Sequence, residues 1–86
     1  MTEIETPMGP QIVVLDRGFI YHGNVSINGD MMTIERARNI RRWGTTAGLG
    51  QLAKDGPTAV TVLDNVGTVT APMRAVIHLI QCSRLW

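Results

Sequence analysis

The tripeptide Asn28-Gly29-Asp30 narrows the folds open to this chain more than any other feature. Asn and Gly both tolerate the positive φ that a tight hairpin turn demands. On its N-terminal side, residues 19–27 alternate. Phe19, Tyr21, Val25 and Ile27 fall on one side with Gly23, while Ile20, His22, Asn24 and Ser26 fall on the other. A period of two is the signature of a strand. The turn therefore predicts that residues 31–40 return antiparallel, with Glu35, Arg36 and Arg38 on a wet face. A helix competes for this segment, because Met, Glu, Ala and Arg are good helix formers.

The rest of the chain supplies further strands and one weak helix. Residues 11–15 are β-branched and end at Asp16-Arg17-Gly18, where Gly18 breaks or bulges the strand. Residues 1–10, polar and carrying Pro7 and Pro10, read as a flexible lead-in to a single compact domain over residues 11–86. Thr45 or Thr46 is placed to cap a short helix over residues 47–54, with Leu49, Leu52 and Ala53 on one face. Gly56-Pro57 stops it. Residues 58–63 and 67–70 read as strands around a turn at Asp64-Asn65. Residues 74–82 are the most apolar run and read as a central strand, with Ala75, Ile77 and Leu79 on one face and Val76, His78 and Ile80 on the other. The expectation is a mainly β (β-rich α+β) domain, a small bent antiparallel sheet or partly open barrel of about five strands with one short helix.

Size makes self-association part of that expectation. A chain of 86 residues buries only roughly 60% of the surface its unfolded form exposes. One cysteine provides no internal disulfide, and no Cys/His spacing suits zinc. Homo-oligomerisation is one route to the missing stabilisation, and Leu85 and Trp86, a bulky apolar pair, are candidate interface anchors. No stretch approaches 18 apolar residues, and no basic start precedes an apolar run, so neither a membrane span nor a signal peptide is expected.

Charge is distributed unevenly. Residues 1–35 hold one basic group against five acids; residues 36–86 hold seven against two. Arg36, Arg38, Arg41 and Arg42 lie within seven residues, with Trp43 beside them. In an extended strand Arg36 and Arg38 share a side; Arg42 joins them if the alternation continues, and Arg41 points away. Such a patch suits phosphate recognition with an aromatic stacking surface, as in a nucleotide or nucleic-acid binder. A plainer reading is a solvated face whose arginines pair with Glu35, Asp55 or a neighbouring subunit.

Catalytic signals are weak. Gly44, Gly48 and Gly50 precede a helical stretch, but their spacing is not that of a phosphate loop. His22 and His78 sit inside strand patterns with no acid or nucleophile directed at them, and each reads as a structural histidine. Cys82 reads as a buried thiol. With no triad, metal set or cofactor motif, the expectation is a non-enzymatic protein without a cofactor.

Residues 37–56 resemble a family of small uncharacterised proteins encoded by tailed phages and prophages. In that family a strand ending in an ARRI-W-W-like phrase is followed by an SL-LA--G-like helix. The matching positions are Ala37-Arg38-Asn39-Ile40, Trp43-Gly44, Leu49, Leu52-Ala53 and Gly56. The phrase here is ARNIRRW, which departs from the pattern at Asn39 and Arg41. The resemblance extends less distinctively over residues 12–82. It implies a phage or prophage accessory protein of the bacterial cytoplasm, homo-oligomeric, whose partner is a host protein, a nucleic acid or a signalling nucleotide. It carries over no catalytic residues.

Overall fold

A computed structural model describes residues 5–86. Its strands are β1 (Thr6–Leu15), β2 (Ile20–Asn28), β3 (Met31–Arg42), β4 (Val62–Pro72) and β5 (Val76–Gln81), with one helix, α1 (Gly48–Asp55). All pairings are antiparallel and form one open sheet in the order β4-β3-β2-β1-β5. The protein is thus mainly β, as expected.

The hairpin at residues 28–30 forms. Asn28 pairs with Met31, leaving Gly29-Asp30 as a two-residue loop, and Gly29 takes a φ of 59°. A positive φ at the first of two central residues matches the right-handed twist of the flanking strands and suits glycine. Residues 31–42 are strand throughout, so tertiary pairing overrides their helix propensity.

Three elements differ from the sequence expectation. β1 begins at Thr6, so residues 6–10 of the expected lead-in pair with β2; residues 1–4 lie outside the described residues. Pro10 is accommodated, and its carbonyl accepts from the Cys82 N–H at 3.0 Å. The break expected at Asp64-Asn65 is absent. Those residues lie within β4, opposite Asn39 and Arg38, because the long β3 offers an uninterrupted partner. The apolar run near the C-terminus is an edge strand, not a central one: β5 pairs with β1 alone. A bulge at its start breaks the alternation, so Val76 and Leu79 share one face and Ile77 is 60% exposed.

Register shifts occur in every strand pair of the sheet. Each adds local bend and right-handed twist. The result is visible at the edges: β4 and β5 lie on opposite sides of the sheet order, yet only a 3-10 turn at Met73–Ala75 joins them. Four residue steps span at most roughly 14 Å. The sheet therefore curls enough to bring its two edges together at this corner, where the Met73 N–H donates to the Asp30 carbonyl at 2.7 Å.

The curl gives two cores on opposite faces. Val13, Leu15, Val25, Met32, Ile34 and Ala37 form one. Ile12, Ile40, Leu52, Ala53 and Cys82 form the other, beneath α1. Consecutive β1 residues Ile12 and Val13 are both fully buried, one in each core. α1 is short and carries Gly50, so packing holds it: Leu52 is fully buried, a contribution of roughly 1.5–3 kcal/mol. Neither threonine fills the N-cap. Gln51 reaches back instead, its Oε1 accepting from the Ala47 N–H at 2.8 Å and from Thr46 Oγ1 at 3.1 Å, while Thr45 Oγ1 donates to the Gly48 carbonyl at 2.6 Å. No helix among the described residues is long and apolar enough to cross a membrane.

Candidate functional site

The site is built on a break in β3. Asn24 of β2 opposes Glu35, but His22 opposes Arg38, so Gly23 faces both Arg36 and Ala37. Arg36 absorbs the extra residue in the left-handed region, at φ 54°. This costs an L-residue with a Cβ roughly 1–2 kcal/mol. Gly23 is obligatory beside it. A Cβ there would lie 2.6 Å from Ile34 Cγ2 and 2.7 Å from the Glu35 carbonyl oxygen.

The bulge changes which side chains reach which face. Met32 and Ile34 point into the first core, and so does Ala37, an odd-numbered residue. Arg38 and Ile40 consequently point to the opposite face, shared with His22 and α1. Under strict alternation Arg36, Arg38 and Ile40 would have followed Ile34 into the first core. Bulges that re-aim side chains are common beside functional sites, and a strained non-glycine residue prompts a functional explanation.

On that face lies a cavity of about 360 Å³ lined by Arg36, Ala37, Arg38, Asn65, Gly67, Leu85 and Trp86. Four of the seven candidate residues meet here: Arg36 and Arg38 of the charge cluster, and Leu85 and Trp86, the candidate interface anchors. The others lie elsewhere. Arg41 forms an exposed ion pair with Asp64, Nε to Oδ2 at 3.0 Å. Arg42 opposes Val62 at the end of the ladder. Trp43 is 43% exposed and faces the start of α1 near Gly48, and its carbonyl accepts from Thr61 Oγ1 at 2.7 Å. Arg41–Asp64 is the one ion pair among the described residues. Arg36 and the half-buried Arg38 therefore have no carboxylate partner there.

The tail is held in place by hydrogen bonds to the end of α1. The Ser83 N–H donates to the Ala53 carbonyl at 3.0 Å, and Ser83 Oγ donates to the Lys54 carbonyl at 2.8 Å. The Arg84 guanidinium lies over Gly56 and donates to the Asp55 carbonyl at 3.4 Å. These bonds satisfy carbonyls that a helix C-terminus leaves free and place a cation at its negative end. Two residues on, the Trp86 indole stacks on the His22 imidazole, with ring centroids 3.6 Å apart and planes 5° from parallel.

His22 is fully buried. Its Nε2 faces the Arg84 carbonyl at 3.4 Å, where it can act only as donor. Burial pushes its pKa down to about 4 against the opposing pull of that carbonyl, and the Arg38 charge lowers it further. The imidazole is thus neutral near pH 7 and serves as a flat support for Trp86. Its Nδ1 and the Trp86 indole N–H are buried without a hydrogen-bond partner. His78 is exposed on β5, and the Cys82 thiol, buried beneath α1, is pushed up to about 11. No cluster of His, Cys, Asp or Glu among the described residues is arranged to hold a metal ion.

Sequence reasoning misses Asn65, read as part of a turn, Gly67, read only as the start of a strand, and the role of His22 as a platform. The alternation placing His22 opposite the Tyr21 side was legible, but its partner on the tail was not. Comparison with protein-family models, with curated proteins and with solved structures returns no match to this chain.

Proposed function

We propose that this protein is a non-enzymatic binding module for a phosphorylated ligand, held by Arg36 and Arg38 in the cleft that Leu85 and Trp86 wall. One observation carries the reading. Two arginines without a carboxylate partner among the described residues line the same cavity as an indole. A half-buried guanidinium has lost part of its hydration, and an anion restores the interaction. The strain accepted at Arg36 supports the same conclusion. The likeness along residues 37–56 supports assigning this activity to a phage or prophage accessory protein of the bacterial cytoplasm.

Calorimetric titration with phosphorylated compounds tests the proposal. Arg38→Ala, a half-buried position facing away from the first core, weakens binding at least 10-fold while the far-ultraviolet spectrum stays native. Retention of full affinity by Arg38→Ala refutes the assignment.

A second reading, the homo-oligomeric interaction module, draws on a different surface. Trp86 packs on its own sheet, but β5 presents an edge without Lys, Arg, Asp or Glu, VIHLIQ, with Ile77 60% exposed. Uncharged edges of this kind pair readily with another strand. Sedimentation over a range of concentrations, with Ile77→Lys as the disrupting variant, tests it; a monomer at every concentration removes it.

A further inference from the structure

Resting on the reading of the cleft as a phosphate site, we infer that its ligand is a free nucleotide, with its phosphate on Arg36 and Arg38, its base against the Trp86 indole and its polar edge turned to Asn65. The cavity lining combines two chemically distinct sets of residues, the cations Arg36 and Arg38 and the apolar Leu85 and Trp86, with Asn65 beside them. A lone inorganic anion uses only the first. A nucleoside phosphate uses both, since a base offers a π-face to an aromatic ring and donors and acceptors to an amide.

The aromatic wall is organised in advance. His22 closes one side of the Trp86 ring by parallel stacking, and Ser83 and Arg84 tie the preceding residues to α1. A platform already fixed loses little freedom when a ligand stacks on it. The volume, about 360 Å³, lies at the small end of the roughly 300–1,000 Å³ range of small-molecule pockets. A nucleic-acid strand fits the surroundings less well. Arg41, the next cation along β3 beyond Arg38, is already paired with Asp64, and Arg42 lies opposite Val62 at the end of the ladder, outside the cavity lining.

Trp43→Phe, outside the cavity, leaves Trp86 as the sole tryptophan reporter. In this background, adenosine monophosphate and uridine monophosphate quench Trp86 fluorescence saturably at constant ionic strength. Ribose 5-phosphate and inorganic phosphate compete at least 10-fold more weakly. Trp86→Leu, read by calorimetry, brings nucleotide affinity down to that of ribose 5-phosphate. Asn65→Ala, at an exposed position that keeps the fold, weakens the nucleotides several-fold and leaves phosphate unchanged. If ribose 5-phosphate binds as tightly as the nucleotides, base recognition is overturned while the phosphate site stands. Affinity that climbs with oligonucleotide length overturns the free nucleotide as ligand. Absence of binding by every anion overturns the phosphate site itself.

Discussion

Replacing Arg36 by glycine should make the protein more stable and less able to bind. Arg36 sits at φ 54° in the middle of β3, where a Cβ costs roughly 1–2 kcal/mol. Glycine removes that cost but gives the unfolded chain more freedom, a loss of about 0.4–1 kcal/mol. The balance is a gain of roughly 0.5–1 kcal/mol, or about 2–8 °C in Tm for a domain of this size. Arg36→Ala separates backbone from side chain. It keeps the Cβ and the strain, so Arg36→Gly should exceed it by about 1 kcal/mol, while both lose the guanidinium and bind phosphorylated compounds at least 10-fold more weakly. Urea unfolding followed by circular dichroism gives the stabilities, and calorimetric titration gives the affinities. If Arg36→Gly is no more stable than Arg36→Ala, the bulge is unstrained. If it binds as well as the parent, the conformation is not maintained for a ligand.

Other outcomes follow from the same structure. Gly23→Ala forces a Cβ against Ile34 and the Glu35 backbone and should destabilise the protein by about 1–3 kcal/mol, seen as a lower urea midpoint; an unchanged midpoint means the bulge yields freely. His22 titrates near 4 in the folded state against an ordinary 6.5, so the unfolded chain binds the extra proton. Its contribution is complete above about pH 6.5, declines by up to ~3 kcal/mol as the pH falls to about 4, and changes no further below that. Midpoints measured across this range, with the His22 ring resonances remaining neutral down to pH 5, check the sign and the window. Ser83→Ala removes the hydroxyl bond to the end of α1. It should cost about 1 kcal/mol and shift Trp86 emission to the red as the tail loosens. The Cys82 thiol, buried and raised to about 11, should resist thiol reagents at pH 8 until the protein is unfolded.

What could be read in advance was what local chemistry decides. Asn28-Gly29-Asp30 specifies a turn by its own backbone preferences, and the turn then names the neighbour of β2. Leu49, Leu52 and Ala53 mark the buried stripe of α1, and Gly56 marks its end. What depended on pairing was hidden. Nothing in ERARN announces a bulge, because the extra residue is defined only against Gly23 across the ladder. Apolar residues on both faces of 76–81 are equally compatible with the centre of a sheet and with an edge of a curled one. Asp64-Asn65 has turn chemistry, but β3 offers it a partner strand, and Arg41 engages the carboxylate. In the cleft, Arg36 and Arg38 were legible as a charge cluster and Leu85 and Trp86 as a bulky apolar pair. Their convergence was not, since it depends on Ser83 and Arg84 turning the tail onto α1.

The pairing of β1 with β5 bears on how the molecule is made. β1 finds β2 across a short turn, but its other edge is completed only by the last strand, so Ile12 meets Ile80 across most of the chain. Contacts of such long sequence separation form slowly. During synthesis the apolar flank of β1 stays open until β5 leaves the ribosome.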